Sequence, residues 1–128
     1  MKRNMPLSYL LALLLMSCNT SVHKEDAKII NINVEKFNAR MTEPNVVILD
    51  VRTPKEIADG TIAGAMGIDV KGKEFDEKVK ALDKTKTYLV YCRSGRRSSK
   101  ACGIMANKGF EKLYNLKGGY TAWRYLSD

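Results

Sequence analysis

The chain predicts an α/β fold, a parallel β-sheet covered by helices on both faces, and three observations carry that prediction. Val46-Val47-Ile48-Leu49 and the run at residues 87–91 are short and almost wholly β-branched, aromatic or aliphatic, as strands buried on both faces are. Segments with apolar residues at helical spacing alternate with such runs, the pattern of a parallel sheet. Two polar segments, residues 50–56 and 92–98, begin where a predicted strand stops. Parallel sheets gather ligands beyond the carboxyl ends of their strands.

Taken in order, residues 29–32 read as a short edge strand, and Asn33 caps a helix running to Met41. The strand at residues 46–49 is bounded by Pro44-Asn45 and by Asp50. A helix start follows, with Thr53 as cap, Pro54 in the first helical position and Glu56 completing a capping box. Gly60, Gly64 and Gly67 break the chain before a short strand at residues 68–70. Phe75, Val79 and Leu82 share one side of a helix at residues 74–82. Beyond the strand at 87–91 and the loop at 92–97, Ser98, Ala101, Cys102 and Met105 form one helical stripe. Lys100 and Asn107 lie opposite it, and Gly109 ends the helix. Residues 113–116 give a last strand, Gly118-Gly119 a turn, and residues 120–126 a terminal helix.

The 128 residues hold one domain of ordinary globular composition. The net charge is +8, of which Lys2 and Arg3 belong to an amino-terminal signal, so the mature chain carries 8 − 2 = +6. No basic stripe interleaved with aromatics and no zinc-finger spacing is present, which argues against nucleic acid as a partner. Neither metal-ligand spacing nor a dinucleotide fingerprint occurs, so no metal or cofactor is expected. The contexts of the three cysteines differ too much for a disulfide framework.

Residues 1–17 have the form of a secretory signal. Two basic residues lead into an apolar run at residues 7–16. Such a run spans about 15 Å as a helix, half the thickness of the hydrocarbon layer, and does not cross a bilayer. Leu15-Met16-Ser17-Cys18 resembles the lipobox of bacterial lipoproteins. The resemblance implies a diacylglyceryl group on the Cys18 thiol, cleavage before it and acylation of the new amine. Residues 18–28 are then a lipidated tether, polar and charged as a flexible leash requires, and residues 29–128 are the folded domain. The expected location is the cell envelope, membrane-attached through the lipid and facing the periplasm or the cell exterior. Asn19 after the cysteine points to the outer membrane in a host that has one.

The segment that carries chemistry is Tyr91-Cys92-Arg93-Ser94-Gly95-Arg96-Arg97-Ser98. Cys92 leaves a buried strand and enters a short loop that passes at once into a helix. Inward-turned amides of such a loop form an anion-binding concavity, and the helix amino terminus adds partial positive charge. With the neighbouring guanidinium groups they favour a thiolate, the nucleophilic form of cysteine. The same cradle suits the terminal sulfur of a persulfide or the oxyanion end of a donor. Gly95 lets the backbone approach closely.

This loop resembles that of the rhodanese homology domain. So do the segment from Ile48 through Asp50-Val51-Arg52-Thr53-Pro54-Lys55-Glu56 and the stretch from Gly109-Phe110 to Gly118-Gly119-Tyr120-Thr121-Ala122-Trp123. The likeness covers residues 29–126. It implies a rhodanese-like fold and a thiosulfate sulfurtransferase. Cys92 is then catalytic, and Arg93, Ser94, Gly95, Arg96, Arg97 and Ser98 bind substrate. Thiosulfate or another sulfane-sulfur donor loads Cys92, and a thiol or cyanide accepts the sulfur. Thr61 and Ala63 stand where family members commonly carry His and Pro. The related phosphatases place five residues between cysteine and phosphate-binding arginine, whereas only four separate Cys92 from Arg97, a ring better sized for one sulfur atom.

Asp50 and Arg52 stand at the mouth of the neighbouring strand, either as a second layer behind the Cys92 loop or with Arg52 paired to Glu56 across the strand-to-helix turn. The ion pair is the favoured reading. Arg93 and Arg97 are favoured over Arg96 for donor binding. Cys102, on the apolar stripe, reads as a small buried hydrophobe, and Tyr120, Trp123 and Tyr125 as packing of the last helix. His23, the only histidine, lies in the tether, leaving no His-assisted mechanism. A non-catalytic partner-binding module and a phosphatase or arsenate reductase are the competing functions.

Overall fold

The computed structural model describes residues 28–127. The readings made for the signal, the Cys18 lipobox and the tether before Lys28 lie outside the described residues. Ten elements follow one another: β1 (Lys28–Ile32), α1 (Val34–Arg40), β2 (Val46–Asp50), α2 (Pro54–Ala58), β3 (Met66–Gly67), α3 (Phe75–Lys80), β4 (Thr87–Tyr91), α4 (Arg96–Asn107), β5 (Lys112–Leu116) and α5 (Gly119–Ser127). The strands form one sheet in the order β1-β5-β4-β2-β3. Every pairing is parallel.

Alternation along the central strand divides the core into two layers. Tyr88, Val90 and Cys92 join the layer with Phe75, Val79, Ala101, Cys102 and Met105, beneath α3 and α4. Leu89 and Tyr91 point the other way, to Val34, Phe37 and Leu116, beside α1 and α5. Each large apolar side chain so buried contributes about 1.5–3 kcal/mol relative to exposure. The α4 stripe is as read from the sequence: Ser98, Ala101, Cys102 and Met105 are its buried residues. The predicted caps form too. The Lys36 amide donates to Asn33 Oδ1 at 2.9 Å, and Thr53 with Glu56 closes a reciprocal capping box ahead of Pro54.

Most boundaries shift by a residue or two, as where α3 ends at Lys80 rather than at 82 and α4 begins at Arg96, inside the expected loop, and two further differences lie near the site. The third strand is Met66–Gly67 rather than residues 68–70, because it pairs with only the last two residues of β2. Gly119 belongs to the last helix rather than to the turn before it.

From β2 the chain moves outward to β3, and from β4 it moves the opposite way to β5. The carboxyl ends of β2 and β4 therefore lie side by side at a topological switch point, where parallel sheets open a crevice. Asp50 and Cys92 emerge there.

Candidate active site

Cys92 directly follows β4 and is 1% exposed. Its sulfur accepts the Gly95 amide at 3.1 Å and the Ser98 hydroxyl at 3.3 Å. Gly95 reaches that position with φ at 101°, a conformation side-chain-bearing residues rarely adopt. Burial of the sulfur pushes the thiol up. The Ser98 hydroxyl and the amides of Ser98, Ser94 and Gly95 more than offset that effect, so Cys92 titrates below its ordinary value.

The amides face the sulfur because the carbonyls are held elsewhere. Cys92 O accepts the Tyr120 amide at 2.8 Å and Arg93 O the Thr121 amide at 3.1 Å, both from the first turn of α5. Gly95 O accepts the Ser99 amide at 3.1 Å and the Asn115 side-chain amide at 3.3 Å. Contact this close requires glycine at 119. A Cβ there would lie 2.5 Å from Cys92 O and 2.6 Å from Arg93 O.

At the end of the neighbouring strand β2, Asp50 and Arg52 form a buried pair. Arg52 Nη2 lies 2.7 Å from Asp50 Oδ2, Arg52 Nε and the Arg52 amide each donate to Oδ1 at 3.0 Å, and Nη2 also reaches Gly60 O at 2.7 Å. The guanidinium is 4.1 Å from the Tyr120 ring centroid. Although burial raises the Asp50 carboxyl, hydrogen bonds from Arg52, Tyr91 and Thr61 bring it below its usual value. A chain of donors runs alongside. The Ile62 amide donates to Tyr91 OH (3.0 Å), Tyr91 and Thr61 share a hydroxyl contact (2.8 Å), and Thr61 donates to Asp50 (2.9 Å). Burial leads in pushing the Tyr91 phenol up to about 12, so it remains a donor at neutral pH.

The predicted Arg52–Glu56 pair is absent, since Asp50 already occupies Arg52. Glu56 instead takes both ends of Arg97, at 2.8 and 2.7 Å. That contact, together with the Thr53 cap, holds the Glu56 carboxyl far below the usual carboxylate range. Arg97 thus ties the first turn of α4 to the first turn of α2, with its charge still felt at Cys92. Ser98 is buried against the sulfur, while Arg93, Ser94 and Arg96 are exposed. Arg93 lines a cleft of about 560 Å³ with Arg52, Tyr120 and Arg124 among its walls. Among the described residues no group of three His, Cys, Asp or Glu is arranged to hold a metal ion.

The model of the rhodanese-like domain family matches residues 33–125. The chain belongs to that family. A sulfurtransferase of Allochromatium vinosum is 33% identical to this rhodanese-like chain over 93 residues, 72% of the chain and 85% of that protein. A tRNA uridine(34) hydroxylase of Cytophaga hutchinsonii is 39% identical over 87 residues, 66% of the chain but only 28% of the hydroxylase. Among solved structures, a rhodanese-related protein from Thermoplasma volcanium superposes with a TM-score of 0.67 at 30% identity. The match covers 76% of the chain and 92% of that protein.

In this rhodanese-like domain several residues matter that the sequence reading gave no role at the site. Tyr91 is the hub of the donor chain, and its signal was a hydroxyl at the carboxyl end of a buried strand, which needs a partner once buried. Thr61, a departure from the family pattern, links that hub to Asp50. A second glycine opening a helix, as at Gly119, marks close backbone approach more than a turn. Asn115 and Glu56 carried no such mark. Cys102 is fully buried, and burial pushes its thiol up to about 12. Trp123 stacks on Tyr120 with centroids 5.9 Å apart, as packing predicts. Tyr125 is 84% exposed, against the packing expectation, because it faces the cleft rather than the sheet.

Proposed function

We propose that this rhodanese-like chain is a thiosulfate sulfurtransferase that carries sulfur as a persulfide on Cys92. The Cys92 thiolate attacks the outer sulfur of thiosulfate, or of a similar sulfane donor. The S–S bond of the donor breaks, and its electron pair leaves with sulfite. A thiolate or cyanide then attacks the outer persulfide sulfur, and the bonding pair returns to Cys92 as thiolate. Both steps are displacements at sulfur, with no external oxidant or reductant.

The observation that carries this reading is the sulfur itself, buried yet met by the Gly95 amide and the Ser98 hydroxyl at 3.1 and 3.3 Å and easier to ionise than an ordinary thiol. A ring that stabilises the thiolate also stabilises the terminal sulfur of a persulfide and a departing anion. The ion pair of Arg97 with Glu56 counts against a phosphatase, which would need that arginine at the phosphate. Roles follow from position. Ser98, Gly95 and Ser94 hold the sulfur, Arg93 meets the incoming anion, and Asp50 with Arg52 fixes the end of β2 beside β4.

Intact-protein mass spectrometry after thiosulfate treatment tests the proposal. The wild type gains the mass of one sulfur atom and Cys92→Ala gains nothing. A wild type left unmodified while a control rhodanese loads would remove thiosulfate as donor.

A further inference from the structure

Among the described residues one buried side-chain atom has no hydrogen-bond partner, Asn115 Oδ1. Asn115 stands in β5, 4% exposed, between Asn31 of β1 and Val90 of β4. Its side chain shares a face with Leu113, in the layer beneath α4. A buried acceptor left empty costs about 1–3 kcal/mol, a cost that leucine at this place would avoid. The other end of the amide accounts for it. Nδ2 carries two hydrogens, and both are placed, one on Asn31 Oδ1 at 2.9 Å and one on Gly95 O at 3.3 Å. Turned over, the amide would set its oxygen against Gly95 O, which can only accept. Its orientation is therefore fixed.

Gly95 is the residue whose amide meets the Cys92 sulfur at 3.1 Å. Its carbonyl is taken by the Ser99 amide from within α4 and by Asn115 from the sheet. The Ser99 contact moves with the helix. Among the described residues, Asn115 therefore makes the hydrogen bond that ties Gly95 to a strand. The approach is close: a Cβ on Gly95 would lie 3.3 Å from Leu116 O and 3.5 Å from Gly118 N, just past Asn115. We propose that Asn115 is a positioning residue for sulfur transfer, holding Gly95 by its carbonyl so that the Gly95 amide stays aimed at the sulfur of Cys92. This rests on the sulfurtransferase reading and adds a residue to that same site. A glycine with φ at 101° has other conformations of similar energy open to it once untied. A donor that drifts from the sulfur serves neither the thiolate nor the terminal sulfur of the persulfide.

Alkylation of Cys92 by iodoacetamide across pH, followed by peptide mass mapping of the full chain, reads the thiolate without any sulfur donor. In Asn115→Leu the profile moves about half a unit to higher pH, and thiosulfate loading at neutral pH slows roughly threefold, the scale of one weakened hydrogen bond. Asn31→Ala removes the other bond of the same amide but leaves Gly95 tied, so its profile stays close to that of wild type. Urea denaturation separates fold from position. A residue that merely packs β5 would change the urea midpoint and leave the profile of the folded protein where it was. An unmoved profile in Asn115→Leu therefore overturns the proposal, whatever the stability, and so does an unchanged loading rate. An equal shift in Asn31→Ala would assign the effect to the pairing of β1 with β5 and overturn it as well. Should the leucine variant not fold, Asn115→Ala, which cannot overpack, is judged by the same criteria. If thiosulfate fails to load wild-type Cys92, the sulfurtransferase reading falls, and the alkylation profile still decides whether Asn115 aims the Gly95 donor.

Discussion

Ser98 stands in the first turn of α4, fully buried, with its hydroxyl pointed back at the sulfur that precedes the helix. A serine in that place is not a cap; it is the polar member of the buried α4 stripe. Among the described residues its hydroxyl makes one hydrogen bond, to Cys92. Replacing it by alanine removes one donor to a charged sulfur, and the expected cost is a roughly tenfold slower thiosulfate loading at neutral pH. The sign of the pH effect follows from the same contact. Donors to the thiolate lower the Cys92 pKa, so loss of the Ser98 hydroxyl moves it upward. In Ser98→Ala the rise of loading rate with pH therefore shifts to higher pH, and ultraviolet titration of the thiolate shows the same displacement. An unmoved titration curve would mean that the amides alone set the ionisation. Tyr91 and Thr61 bind each other and Asp50, and their part lies in fixing the end of β2 beside β4.

Between elements, the telling contacts join helix ends to loops. The first turn of α5 covers the carbonyls of Cys92 and Arg93, and Gly119 is the point of closest approach. Alanine at 119 would force its methyl into two backbone carbonyls at a positive φ of 59°. The expected penalty is about 3 kcal/mol in urea denaturation, combining overpacking with backbone strain. Persulfide formation in the folded fraction should fall as well. A variant as stable as wild type would show that the loop can retreat without loss. These contacts also mark the limit of what a single sequence reveals. Signals confined to one helical turn were legible: the Asn33 cap, the Thr53-Pro54-Glu56 box, the α4 stripe and the glycine before it. Partners far apart in sequence were not. Glu56 meets Arg97 across 41 positions, and the local rule that placed Glu56 beside Arg52 had no access to the sheet order. β2 lies beside β4 only after the crossover, and that adjacency decides which charge each arginine finds.

At the scale of the whole molecule, five parallel strands give the sheet a direction. The fold class and the place of the chemistry at the strand ends were readable from alternating apolar runs. Strand order was not, since nothing in β1 says that its neighbour is β5. The proposal that Cys18 carries lipid makes a separate prediction. Growth with an alkyne-tagged fatty acid should label the wild type and leave Cys18→Ala unlabelled and free of the membrane fraction. Labelling of both proteins, or of neither, would reject the lipid. Where that anchor joins the fold has a bearing on the enzyme. Lys28 begins β1 and pairs with Lys112 at the start of β5, whereas Cys92 follows the last residue of β4. The proposed leash of about ten residues would reach at most about 35 Å and would enter at the pole opposite the sulfur. Moored there, the molecule would be free to turn its reactive mouth outward, toward solutes diffusing past and away from the lipids beneath it.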